Sequence, residues 1–165
     1  MFKETDACSI KENLIDLIKN EWILISAGDR KAHNMMTASW GFMGEMWGED
    51  CVVIAVRPQR YTLEFLNKFN NFSLSFYGDN KKIHKVCGSM SGRNVNKTEL
   101  SGLTPVFADG TVYFEEARLV AVCKKLYISK LEKENFLDKE IANKWYPEDD
   151  FHYMIVAKIE KVLEK

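Results

Sequence analysis

The run Cys51-Val52-Val53-Ile54-Ala55-Val56 is apolar at every position and stops at Pro58. A segment this short, without polar alternation, reads as a strand covered on both faces. Other strand signals lie on either side of it. Trp22-Ile23-Leu24-Ile25-Ser26 reads as a buried strand turning at Gly28-Asp29, and Met35 to Trp40 as a second. Phe72-Ser73-Leu74-Ser75-Phe76 alternates apolar residues with serine, which predicts one wetter face. Further strands are expected at Thr111 to Phe114, at Arg118 to Ile128, and along the β-branched stretch Phe151 to Leu163. Gly41, Gly44 and Gly48 suggest an irregular stretch. The helical signals are short. They cover Asn13 to Lys19, Leu63 to about Lys68 with Thr62 as its cap, Lys81 to Val86, and Asp138 to Trp145 ended by Pro147. Strands with a few short helices predict a mainly β fold, a barrel carrying short helical insertions, and argue against a doubly wound parallel sheet.

No repeat, low-complexity tract or linker interrupts the 165 residues, so one domain spanning 1–165 is expected. A net charge of −1 provides no bulk field to recruit nucleic acid or an anionic membrane. No apolar run approaches the roughly 20 residues needed to span a bilayer. The polar start Met1-Phe2-Lys3-Glu4-Thr5-Asp6 lacks a secretory core, and a cytoplasmic protein is the expectation. Cys8, Cys51, Cys87 and Cys123 form no CxxC or Cys/His cluster, which predicts reduced, mostly buried thiols and no metal site. GxGxxG and GxxxxGK[ST] are both missing, and with them the usual dinucleotide and nucleoside-triphosphate signatures.

Three segments have the residue types for holding a ligand. In Val56-Arg57-Pro58-Gln59-Arg60-Tyr61-Thr62, a helix start with two arginines and a hydroxyl suits a phosphate. The same residues also describe a Pro-bounded turn with solvated arginines. Cys87-Gly88-Ser89-Met90-Ser91-Gly92-Arg93, followed by Lys97, has the small residues of an anion nest and two countercharges, although Gly-Ser turns near basic residues are common loops. In Asn34-Met35-Met36-Thr37-Ala38-Ser39-Trp40-Gly41, Thr37 and Ser39 share one strand face beside small Ala38 and Gly41. That arrangement permits backbone and hydroxyls to approach a flat polar ring, with Trp40 packed against it. A strand edge entering a loop would look the same.

These segments, in this order, resemble the FMN-binding split-barrel flavin reductases, especially their flavoredoxin-like branch. FSLSFYG (Phe72 to Gly78), SGLTP (Ser101 to Pro105), YFEEARLV (Tyr113 to Val120), NFLD (Asn135 to Asp138) and YPEDDFHYM (Tyr146 to Met154) extend the resemblance over nearly the whole chain. It implies an FMN-binding split β-barrel in a homodimer, with non-covalent FMN at the subunit interface. It would place Asn34, Thr37, Ala38, Ser39 and Trp40 along the flavin ring and ribityl chain. Arg57, Arg60, Tyr61 and Thr62 would lie near ribityl and phosphate, with Ser89, Arg93 and Lys97 around the phosphate. His152 would face the ring region. The family's Asp-Val-Asp-Lys is here Asn94-Val95-Asn96-Lys97, a more positive surrounding for a phosphate. Its Gly-Glu on the last strand is here Ala157-Lys158, which removes any role resting on that glutamate.

The implied activity is reduction of bound flavin by NAD(P)H, with onward transfer to free flavin, a partner protein or a small acceptor. The protein would supply orientation and electrostatics, and no catalytic acid, base or metal. The alternatives are an electron-carrier flavoprotein with little NAD(P)H activity and a flavin-free split-barrel binding dimer. Among the remaining residues, His33 and His84 read as surface residues, and His152 reads as either a structural or a pocket histidine. Glu115 and Glu116 should straddle a strand's two faces and carry no catalysis. Trp22, Phe65, Phe69, Phe72 and Phe76 read as core, and Lys130 to Lys144 as a solvated excursion covering part of the pocket.

Overall fold

The structure, a computed structural model, describes residues 1–165. Strand makes up 41% of the chain against 25% helix, so the architecture is mainly β with short helical insertions. The strands are β1 (Lys3–Thr5), β2 (Ile23–Gly28), β3 (His33–Ala38), β4 (Gly41–Met46), β5 (Glu49–Val56), β6 (Asn71–Phe76), β7 (Pro105–Ala108), β8 (Thr111–Phe114), β9 (Leu119–Lys130) and β10 (Tyr153–Glu164). The helices are α1 (Leu14–Asp16, widening into a π turn over Leu17–Glu21), α2 (Thr62–Lys68), α3 (Lys81–Ser89), α4 (Lys97–Ser101) and α5 (Lys139–Trp145). No helix is long and apolar enough to cross a membrane.

Seven strands run in the order β3-β2-β6-β9-β10-β5-β4, all antiparallel, and β1 joins the far end of β10. β10 is long enough to serve two neighbours on one side: Tyr153 to Lys158 pair with β5, and Val162 to Glu164 with β1. Its register with β9 shifts between Val156 and Ala157 and again between Ile159 and Lys161. Such bulges bend and twist a strand, which lets one sheet curl around a core. Inside the curl lie Leu17, Ile25, Ile54, Leu66, Phe72, Leu74, Phe76, Ala121 and Ile155. Cys51, Cys87 and Cys123 are buried and Cys8 is exposed, all four as free thiols.

Several local expectations are corrected. The serine face of β6 is not wet: Ser73 and Ser75 are fully buried. The hairpin β7–β8 lies outside the sheet there, and Ser73 Oγ donates to Val112 O at 2.6 Å. A second apolar cluster of Leu24, Met35, Val112, Phe114, Val120 and Val122 fills that side. The glycine-containing stretch after Trp40 is an ordinary edge strand, paired with β5 from Gly41↔Ile54 to Met46↔Glu49. As an edge strand it shows little apolar alternation, and its Phe42 is exposed. Thr62 does not cap α2 with its side chain; its hydroxyl instead accepts a hydrogen bond from Asn34 Nδ2 at 2.8 Å. Trp22 and Phe69 are only half-buried, and α4 and β7 were not foreseen. The turn at Gly28 is required, since φ is +133° and a Cβ would come within 2.4 Å of Ala32 O.

Candidate functional site

The three segments singled out in the sequence meet at one end of the curled sheet. β3 ends in Thr37-Ala38 and leads into Ser39-Trp40; β5 delivers Arg57 to Thr62; α3 ends near Gly88-Ser89 and runs into Met90-Ser91-Gly92. One cavity is lined by Thr37, Ala38, Ser39, Trp40, Trp145 and His152, together with Met36, Ala55, Arg57 and Arg60. A second is lined by Asn34, Tyr61, Thr62, Ser89, Ser91 and Lys97, with Gln59, Met90 and Gly92, and shares Met36 and Arg60 with the first. Together they make a trench with an aromatic end and a polar, cationic end.

At the aromatic end, Trp40 lies 5.0 Å edge-on from Trp145 and 4.9 Å from His152, tilted by 37°. Trp145, at the end of α5, is held there by Arg57, which donates to Trp145 O at 2.7 Å and forms an ion pair with Asp150. Burial and the nearby Arg57 hold the His152 imidazole down at about 4, so it is neutral near pH 7. Thr37 Oγ1 lies 3.1 Å from His84 Nδ1 and 3.2 Å from His84 O. His84 is buried, not on the surface, and burial lowers it to about 4 as well. His33 is half-buried, with Nε2 3.0 Å from Thr98 Oγ1.

The polar end has unspent donors. The backbone amides of Gln59, Tyr61, Ser91 and Gly92 make no hydrogen bond within the protein, and all four residues line the cavity. Arg60 spends one N–H on Gly88 O at 3.2 Å. Unpaired amides converging beside a guanidinium make a concave anion site. The chain packs tightly here: a Cβ on Gly92 would sit 2.0 Å from Asn34 Oδ1, so only glycine lets Asn34 reach Thr62.

Two sequence candidates stand differently from expectation. Lys97 is 5% exposed, and its ammonium donates to Met35 O at 2.9 Å and Cys87 O at 2.7 Å, tying β3 to α3 from beneath the cavity. Arg93 lines neither cavity; it lies 4.6 Å over the Tyr61 ring and forms an ion pair with Glu64. Met36, Ala55, Gln59, Met90, Ser91, Gly92 and Trp145 line the cavities without having been candidates in the sequence. The apolar ones look like core in sequence, and Trp145 sits in a charge-rich segment remote along the chain.

The fold has close counterparts among solved structures. Flavoredoxin from Methanosarcina acetivorans superposes with a TM-score of 0.67 at 20% identity, over 88% of this chain and 68% of that one. An FMN-binding domain of a flavin reductases-like enzyme from Shewanella baltica gives 0.70 at 15% identity, over 99% of this chain and 77% of that one. The NADH:FAD oxidoreductase from Streptomyces globisporus C-1027 gives 0.66 at 12% identity, over 88% and 74%. No curated protein sequence matches the chain. At such identities these likenesses establish the split-barrel fold. The model of the flavin reductase like domain matches residues 16–162, nearly the whole length, and the chain therefore belongs to the flavin reductase like domain family.

Proposed function

We propose that this protein is an FMN-binding oxidoreductase that holds one flavin non-covalently per subunit, accepts electrons from NAD(P)H and passes them to free flavin or another acceptor. The observation that carries this reading is the asymmetry of the trench: an aromatic chamber at one end and unpaired amides beside Arg60 at the other. A flat ring joined by a polar chain to a doubly charged phosphate ester has the matching asymmetry. The solved counterparts include an FMN-binding protein and an NADH:FAD oxidoreductase, which favours the same reading.

The residues present fit that cofactor. The amides of Gln59, Tyr61, Ser91 and Gly92 and the guanidinium of Arg60 would hold the phosphate. Asn34 and Thr62, locked to one another, would border the polyol chain, and Thr37, Ser39, Trp40 and His152 the ring. When bound, FMN supplies two-electron transfer at its ring. The chain's own contribution is orientation and exclusion of water: Trp40 and Trp145 wall the chamber, and Arg57 fixes the Trp145 wall through its carbonyl. No side chain has to take up or release a proton for this, in keeping with a neutral His152.

The reading includes a homodimer. Phe42, Val53, Val156 and Tyr127 lie side by side across β4, β5, β10 and β9 on one sheet face, with Phe42 57% and Tyr127 53% exposed. An apolar row of this kind suits a second copy of the chain.

Anaerobic mixing of FMN-loaded protein with NADH and with NADPH is the test. Rapid bleaching of the flavin absorbance is expected with at least one of them. A loaded protein that bleaches only with a protein donor or dithionite would be an electron carrier instead. A protein that takes up no FMN would overturn the reading.

A further inference from the structure

Tyr146 and His152 form a buried polar pair, of which the proposed function uses only His152, as a border of the ring. Tyr146 is 5% exposed, and its hydroxyl has one partner, His152 Nδ1, at 2.8 Å. Ala142, Phe151, Leu131 and Phe136 pack with it, and the Arg57 guanidinium lies over its ring. Either group of the pair can donate. Were His152 to donate from Nδ1, the phenolic hydrogen would be left with no acceptor within hydrogen-bonding distance, an unpaired buried donor. With the phenol donating to Nδ1, both atoms of the Tyr146–His152 contact are satisfied. The imidazole hydrogen then resides on Nε2. That atom has no partner within the protein and is not sealed off, and His152 lines the aromatic end of the trench.

The surroundings hold this arrangement in place. The Trp40 ring lies 4.9 Å from the imidazole on one side, and the Tyr146 ring meets it edge-on at 5.5 Å. The Arg57 guanidinium sits 5.1 Å over the Tyr146 ring, where its charge draws electron density from the phenol and strengthens it as a donor. Burial, Arg57 and Arg60 disfavour a second proton on His152 and outweigh Asp150, whose Oδ2 is engaged by Arg57 and Gln59 and whose Oδ1 has no partner.

We propose that Tyr146 is a positioning residue that fixes His152 as its Nε2–H tautomer, so that the trench presents a neutral hydrogen-bond donor to a carbonyl oxygen of the planar ligand held there. This rests on the proposed function for the identity of that ligand. Two carbonyl sources share the chemistry, the flavin ring itself and the carboxamide of a nicotinamide. A neutral donor serves either without adding charge beside the ring, as an imidazolium would.

Nitrogen-15 NMR of His152 in the ligand-free protein tests the tautomer directly, whether or not flavin binds. A protonated Nε2 and a bare Nδ1 are expected, and Tyr146→Phe should give a mixture of both tautomers. A protonated Nδ1 in the unmodified protein would overturn the proposal. Ligand binding is then read in a four-member set of unmodified protein, Tyr146→Phe, His152→Gln and the double variant. The glutamine amide keeps an N–H near the Nε2 position but has no tautomer to choose. Tyr146→Phe should weaken binding beside His152 in proportion to the Nε2–H population it gives up, about twofold for an even mixture of tautomers, and have no effect beside Gln. Equal losses in both backgrounds would reduce Tyr146 to a packing residue and sink the idea. Titration with FMN alone, and of FMN-loaded protein with a non-reducible nicotinamide analogue, assigns the carbonyl to whichever ligand responds. Failure of FMN to bind any of the four proteins would end the functional reading while leaving the NMR result to decide the tautomer.

Discussion

Lys97 holds a charge almost wholly out of water beside the polar cavity. In sequence it is one of two countercharges near an anion nest; in the fold its ammonium donates to the carbonyls of Met35 and Cys87. Burial lowers its affinity for the proton, but the two carbonyls reward the charged form. Lys97→Ala should therefore destabilise the protein by about 2–3 kcal/mol, because two buried carbonyls lose their donor, and a urea denaturation midpoint would register it. Arg93→Ala, on an exposed ion pair, should leave that midpoint nearly unchanged. The histidines make a pH prediction. His84 and His152 are both held at about 4 against an ordinary 6.5. The unfolded chain thus takes up protons first as the pH falls. Their contribution is complete above about pH 6.5, is lost between 6.5 and 4, and levels off below that. Urea midpoints at pH 7 and pH 5 should differ by the equivalent of about 1–2 kcal/mol per histidine, and His84→Gln should remove part of that difference.

At the scale of elements, the trench is made by strand ends and turns whose packing leaves little room for change. Gly92 lies where a Cβ would occupy the position of Asn34 Oδ1. Gly92→Ala must push Asn34 off Thr62, and with it the wall of the polar cavity. FMN affinity should fall at least tenfold by fluorescence titration, whereas stability should fall only by the one buried hydrogen bond that Asn34 and Thr62 lose, about 1–3 kcal/mol. Leu74, at the centre of β6 and fully buried, gives the opposite pattern. Leu74→Ala should cost about 2–5 kcal/mol of stability with the cofactor site unaltered in the fraction that remains folded. If the two variants behaved alike, the division between site and core drawn here would be wrong.

For the whole molecule, the exposed row of Phe42 and Tyr127 across the curled sheet is the surface to test. Phe42→Glu with Tyr127→Glu places charge on the proposed contact without disturbing either apolar cluster. Sedimentation should show a dimer for the unmodified protein and a monomer for the variant, with weaker FMN retention if the trench is completed by the second copy. An unmodified protein that sediments as a monomer would remove the homodimer from the proposal.

Much of the architecture was legible in the amino-acid sequence alone because strand and helix signals are local. The apolar run Cys51 to Val56, the limits of β8 and the end of α5 at Trp145 before Pro147 follow from side-chain pattern and turn chemistry within a few residues. So did the three segments that line the trench, since Arg57 to Thr62 and Gly88 to Gly92 have unusual composition. What the sequence could not decide were facts that depend on what lies opposite in space. The buried serine face of β6 depends on a hairpin some forty residues onward, and its alternation is the same whether water or β8 covers it. That the Lys97 ammonium is spent on two carbonyls, that His84 is core and that Trp145 lines the aromatic cavity are set by non-local packing. Hydrophobic periodicity reports which residues leave water; only the folded chain determines what each of them meets.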